Sequence, residues 1–153
     1  MYKWETNVPV LTFFMDENSL IDCHWDEVAN YKNSIELDPD IEKYVALESA
    51  GVLKNVCVYD NDRLIGYSVL FIQPHIHYCK DSFAYVDVIY LHPDYRGSTL
   101  GVKLVKKTEE LAKECGASVV TFHTKPTHPA IDKVLVKLGY GHIENIFGKC
   151  LKE

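Results

Sequence analysis

The sequence predicts a single α/β domain, residues 1–153, with a mixed central sheet flanked by helices. Three observations carry this. Apolar spacing alternates between helix-like and strand-like stretches along the chain. A β-branched and aromatic stretch, Phe83–Leu91, runs through a glycine-containing turn straight into an amphipathic segment, Leu100–Cys115. The length of 153 residues is ordinary for one domain, and no repeat or Pro/Ser/Gly linker divides it.

Taken in order, Val8–Phe14 reads as an N-terminal strand. Asp16–Tyr31 reads as a helix, since Leu20, Ile21, His24, Trp25 and Val28 share one face. Asp38-Pro39 opens a second helix with proline in its first turn, followed by Ile41, Tyr44 and Val45 and ending at Gly51. Asn55–Tyr59 and Leu64–Ile72 flank the turn Asp60–Arg63, and Gln73-Pro74 closes the second of these strands. Phe83–Leu91 is a buried central strand that stops at His92-Pro93. In the following helix, Leu100, Leu104, Val105, Leu111, Ala112 and Cys115 form the buried stripe; Lys103, Lys106, Lys107 and Lys113 face water. Gly116 caps that helix, and Val119–His123 is a further strand. His128-Pro129 starts a last helix that ends at Gly139, and Ile143–Leu151 closes the chain as one or two strands.

Composition narrows the classes. Apolar residues at 47% and charged residues at 25% are those of a globular domain, which excludes disordered and fibrous chains. No apolar run approaches the ~20 residues needed to span a bilayer, and no signal-peptide pattern is present, so the expected location is cytoplasmic without membrane association. The five cysteines have no C-x-x-C pair, and reduced, mostly buried thiols are expected. Net charge is −6, divided unevenly: residues 1–62 hold 13 acids and 4 bases, residues 63–153 hold 9 acids and 12 bases. This balance disfavours nucleic acid and suits a molecule handling one cationic and one anionic partner.

The chemistry centres on the strand–turn–helix. A helix start leaves about four backbone N–H groups without partners, and its dipole adds roughly half a positive charge. Gly97 and Gly101 allow close approach, and Ser98 and Thr99 add hydroxyls, which together make a pyrophosphate cradle. Neither the P-loop nor the dinucleotide glycine pattern is present. A ligand-free strand–helix corner is the alternative. His75 and His77, two residues apart on an extended segment, share a face. With His24 they could ligate a metal, but no carboxylate or cysteine completes the set, and no metal is expected.

The run from Asp87 to Gly101, which contains Leu91-His92-Pro93 and Arg96-Gly97-Ser98-Thr99-Leu100-Gly101, and the later Leu138-Gly139-Tyr140 resemble the GNAT family of acetyl-CoA-dependent N-acyltransferases over residues ~55–151. Cys23–Glu27, Leu37–Asp40 and Pro74–Tyr78 resemble the short phage- and prophage-encoded branch of that family. The resemblance implies a mostly antiparallel sheet, acetyl-CoA as co-substrate and a primary amine as acceptor. It implies that Ile89, Tyr90 and Leu91 pair with the pantetheine amides. Arg96, Gly97, Ser98, Thr99, Leu100 and Gly101 would hold the pyrophosphate. It places a carboxylate base at Asp87, which would take a proton from the acceptor ammonium through water. Thr99 stands at the first signature glycine, and Leu135 stands where the family's acidic tyrosine is usual. His128 replaces a frequent asparagine. Substitute acids are His128, Tyr140, His123 and Tyr90. His24, Trp25, His75 and His77 are the candidates for the acceptor pocket, and Asp26 and Glu27 read as a solvated helix face. The resemblance also suggests a homodimer built through Ile143–Leu151. Two rivals follow: a catalytically degenerate binding module that keeps the fold, and a phage enzyme modifying nucleobases or a host protein.

Overall fold

A computed structural model describes residues 1–152. The elements run β1 (Tyr2–Thr6), α1 (Leu11–Phe14), α2 (Leu20–Val28), α3 (Ile41–Ser49), β2 (Leu53–Asp60), β3 (Arg63–His75) and β4 (Tyr78–Leu91). A 3₁₀ turn (Pro93–Tyr95), α4 (Leu100–Glu114), β5 (Ala117–Phe122) and α5 (Ala130–Lys137) follow. The five strands lie in sequence order in one sheet. Neighbours are antiparallel except β4 and β5, which are parallel. A parallel pair needs a crossover, and α4 supplies it. This is the α/β, mostly antiparallel, helix-flanked sheet expected above.

Two apolar layers sandwich the sheet. On one face, Phe13, Leu20, Tyr67, Val69 and Tyr90 pack with Tyr44 and Val45 of α3. On the other, Leu104, Leu111 and Ala112 of α4 cover Val56, Leu70, Ala84 and Val86. Thr108 lies within that buried stripe, which the apolar spacing had passed over. Ser68 Oγ and Thr108 Oγ1 are 2.6 Å apart, and Thr108 donates to the Leu104 carbonyl at 2.8 Å, so neither buried hydroxyl lacks a partner. Gly66 on β3 permits the close packing opposite Leu91, because a Cβ there would lie 2.8 Å from Leu91 Cδ1 and 3.0 Å from the Tyr90 carbonyl.

The structure corrects five expectations. Val8–Phe14 is not a strand: the edge strand is Tyr2–Thr6, and Val8, Val10 and Phe13 are buried around a single helical turn. A short apolar run without alternation does not distinguish the two. Pro39 precedes its helix, and Asp40 is the cap, accepting from the Lys43 N–H at 3.0 Å. Pro74 does not end β3, which continues to His75 through a register shift where the missing proline donor is tolerated. Ile143–Leu151 forms no strand, and Ile143, Ile146, Phe147 and Leu151 are exposed; the apolar residues do not alternate, and Gly148 weakens strand formation. Of the cysteines only Cys57 is buried, its thiol pushed up to about 12, while Cys23 and Cys79 are exposed. No helix among the described residues is long and apolar enough to cross a membrane.

One buried side chain fixes the N-terminal crossing. Asn55, 1% exposed, accepts from the Val8 N–H at 2.9 Å and donates to the Val8 carbonyl at 2.7 Å. Asn55→Ala leaves both backbone groups unpaired and is expected to cost about 2–4 kcal/mol, read as a lower urea midpoint at unchanged m-value.

Candidate active site

The site begins where β4 loses one neighbour. Pairing with β5 ends at Val86–Phe122, but β4 runs on to Leu91 with only β3 beside it. His92 donates to the Ile65 carbonyl on β3 at 2.8 Å. Strand alternation therefore turns the N–H and C=O of Ile89 and Leu91 away from β3, into the gap, and those of Tyr90 towards β3. Tyr90 contributes its side chain instead, 5% exposed under α2.

Asp87 sits at the mouth of this gap for a specific reason. Val69 pairs with Val88 and Leu70 with Val86, so Asp87 is the extra residue of a β-bulge. A bulge re-aims side chains, and this one places a half-buried carboxylate on the face covered by α2 and α3. Burial pushes its pKa up, and His123 at the end of β5 pulls it the other way.

The turn after β4 is open. Gly97 has φ +78°, and at both Gly97 and Gly101 an added Cβ would meet nothing within 4 Å. Arg96, Gly97, Ser98 and Thr99 are exposed, while Leu100 is 3% exposed and pins the helix start against Val58 and Ile65. The Leu100 N–H meets Ser98 Oγ at 3.3 Å and the Lys103 N–H meets the Thr99 carbonyl at 3.0 Å. The amides of Gly97, Ser98, Thr99, Gly101 and Val102 have no acceptor among the described residues. Thr99 makes no side-chain cap, so its hydroxyl is free to donate.

An ionic hub joins this turn to α2. Arg96 donates from Nη1 and Nη2 to the two carboxylate oxygens of Glu27, at 2.5 and 2.8 Å, and from Nε to the Leu91 carbonyl at 2.9 Å. Tyr90 donates its hydroxyl to Glu27 at 2.7 Å, and His128 Nδ1 lies 4.0 Å from the same carboxylate. These donors, Arg96 first, lower the Glu27 carboxyl to about 2. The His24 ring stacks on Tyr90 at 4.5 Å and its Nδ1 lies 2.7 Å from the Tyr67 hydroxyl. Glu27, expected on a solvated helix face, is instead the anion of this hub. The one available signal was its place three residues after His24 on the same helix face.

An extended strand edge, a neighbouring carboxylate and a helix start with open amides are the parts an acyl-CoA transferase needs. The model of the acetyltransferase (GNAT) family matches residues 18–140. The chain belongs to the acetyltransferase (GNAT) family. Solved structures agree on the fold. An aminoglycoside acetyltransferase from an uncultured soil metagenomic sample, in complex with sisomicin, is 16% identical with a TM-score of 0.75, covering 99% of this chain and 97% of that one. Glucosamine-6-phosphate N-acetyltransferase from Arabidopsis thaliana is 11% identical with a TM-score of 0.74, covering 99% of both. The enzyme AAC(6')-Iy, in complex with the bisubstrate analogue CoA-S-monomethyl-acetylneamine, is 15% identical with a TM-score of 0.68, again covering 99% of both. No curated protein sequence matches the chain. These findings carry the family and not its phage and prophage branch.

Within this GNAT fold the remaining candidates separate. His24 and His128 join the hub, whereas His75 and His77 lie at the β3–β4 hairpin tip against Tyr78 and Phe83. That tip is a dozen residues along β4 from Tyr90, about 40 Å of extended strand, so His24, His75 and His77 share no pocket. Trp25 is half-buried on α2. Tyr140 donates to Glu109 on α4 at 2.9 Å and packs edge-on to Phe122. Leu135, at the usual tyrosine position, is 8% exposed in α5.

His24 gives the site a measurable acid sensitivity. Burial lowers its pKa to about 4, against about 6.5 in the unfolded chain. Its contribution is complete above pH 6.5 and lost as pH falls towards 4, because the unfolded chain takes up the proton first. Glu27, whose carboxyl is depressed, loses its contribution in the same direction at lower pH, from about 4.5 towards 2. His24→Gln is expected to remove about 2 kcal/mol of the stability change between pH 7 and pH 5, read from urea midpoints at both.

Proposed function

We propose that this chain is an N-acetyltransferase that moves the acetyl group of acetyl-CoA to a primary amine of a cationic acceptor, such as a polyamine, an amino sugar or a protein lysine. The carrying observation is the half-paired end of β4, with Asp87 bulged beside it and the open amides of α4 beyond. The residues fit the co-substrate: the gap-facing groups of Ile89 and the N–H of Leu91 suit a chain of amides, the Leu91 carbonyl being held by Arg96, and the open amides of Gly97, Ser98, Thr99, Gly101 and Val102 suit a pyrophosphate. When bound, acetyl-CoA supplies a thioester carbonyl open to attack by an amine.

Asp87 takes a proton from the acceptor ammonium through a water, and its raised pKa makes it a stronger base than a solvated aspartate. The freed lone pair forms the C–N bond as the C–S bond breaks. Strand amides hold the reacting carbonyl, so orientation supplies much of the rate. Leu135 carries no proton to give the departing thiolate, so another donor must supply it. Of the donors considered, His128 lies at the hub, on the same side as Tyr90, while the Tyr140 hydroxyl is held by Glu109. His128 is the proposed acid. Buried Leu135 favours a second reading, a fold-retaining binding module without turnover.

Titration calorimetry separates these. Acetyl-CoA is expected to bind with micromolar Kd, and Arg96→Ala to weaken it about tenfold by releasing the turn from Glu27 and Leu91. Heatless titration at millimolar ligand would overturn the acetyltransferase reading. With an amine panel of spermidine, glucosamine and lysinamide, Asp87→Asn is expected to lower kcat about 10²–10⁴-fold with Kd for acetyl-CoA unchanged. Tight binding with no turnover of any amine supports the module instead.

A further inference from the structure

Resting on the acetyltransferase reading, a second titratable group faces the base from the other side of the gap. Val86 and Phe122 form the last rung between β4 and β5, and both pack into the α4 layer. The residues that follow, Asp87 and His123, therefore emerge together on the opposite face, on adjoining strands about 5 Å apart at that rung. The His123 ring is half-buried and held from two sides. It packs on Tyr85, with centroids 3.9 Å apart, and its Nε2 lies 3.2 Å from Thr121 Oγ1. That leaves Nδ1 without a protein partner among the described residues.

We propose that His123 is the proton relay of the site, receiving from Asp87 the proton removed from the acceptor ammonium and passing it to solvent. The steps balance without a further reactant. The ammonium N–H breaks as the Asp87 carboxylate gains the proton, directly or across one water. The carboxyl O–H then breaks as the imidazole nitrogen gains it, and the imidazolium releases it to bulk water. Asp87 returns to its ionised form for the next acceptor.

The surroundings suit the transfer. Asp87 is raised and His123 lowered, each chiefly by burial, and each partly offsets the other's shift. This brings the two groups towards a common pH range, where a proton moves between them at little cost. The groups facing the pair are Tyr85 on β4, Tyr44 on α3 beside Asp87, and Glu144 of the C-terminal segment beside His123. Both tyrosines are raised, so they stay neutral, and Glu144 favours the imidazolium. His123 sits at the end of its strand, half-exposed, where bulk water reaches the second nitrogen.

Two variants separate a relay from packing. His123→Phe keeps the stack on Tyr85 but carries no proton; His123→Gln keeps a polar partner for Thr121. In acetyl transfer to spermidine, glucosamine or lysinamide, both are expected to lower kcat at least tenfold, leave KM for acetyl-CoA unchanged and flatten the acid limb of the pH profile, below the ordinary histidine range. Added imidazole at tens of millimolar is expected to restore part of the rate. A second readout needs no turnover: by NMR, the His123 ring pKa is expected to fall when Asp87→Asn removes the carboxylate charge. Wild-type kcat and pH profile in His123→Phe, or a His123 titration indifferent to Asp87→Asn, would overturn the relay and leave the acetyltransferase reading standing. A wild-type chain that binds acetyl-CoA but acetylates none of the amines overturns both.

Discussion

Everything at this site depends on β5 stopping at Phe122 while β4 continues to Leu91. Backbone donors and acceptors in a sheet interior are normally paired on both sides, and unpaired ones are costly unless they reach water or another partner. Between Val86 and Leu91 the groups of β4 that face away from β3, those of Ile89 and Leu91 among them, have no second strand beside them. The antiparallel pairing with β3 holds the strand rigid, so its free edge is a fixed template rather than a loose loop. The bulge at Asp87 belongs to the same constraint: one added residue shifts the side-chain alternation just where the second neighbour is lost. It also puts a carboxylate at the entrance of the gap.

The charge arrangement follows from a second interaction. Glu27 and Arg96 neutralise each other in a bidentate pair, and Tyr90 completes the carboxylate's shell. The pair ties α2, on the acceptor side, to the turn that opens α4. It also removes Glu27 as a free negative charge. Asp87 stays outside this pair, with Tyr44, Tyr85 and His123 as its titratable neighbours.

Much of this was legible beforehand. Strand and helix order from Asn55 to Gly139 could be read from spacing, because long amphipathic stretches such as Leu100–Cys115 have one consistent period. The turn Arg96–Gly101 stood out because glycines beside a helix start have a distinct backbone chemistry. The chain's two ends were misread. Val8–Phe14 is mostly apolar without alternation, and burial of such a run is equally compatible with a strand or a packed turn. Ile143–Leu151 is rich in apolar residues, but they are not spaced two apart, and no strand lies beside the segment among the described residues.

The sequence by itself determined the class of fold and the position of a glycine-bearing turn after the central strand. These are local matters, set by side-chain period and backbone freedom within a few residues. The tertiary structure decided which side chains meet. Glu27 and Arg96 are 69 residues apart, and only the packing of α2 over β4 makes them partners. His24 parted from His75 and His77 because a 14-residue strand separates their ends of the sheet. Asp87 and His123 came to one face through a bulge and a strand end. A bulge is a mismatch between two strands, and a strand read alone does not show what its neighbour lacks.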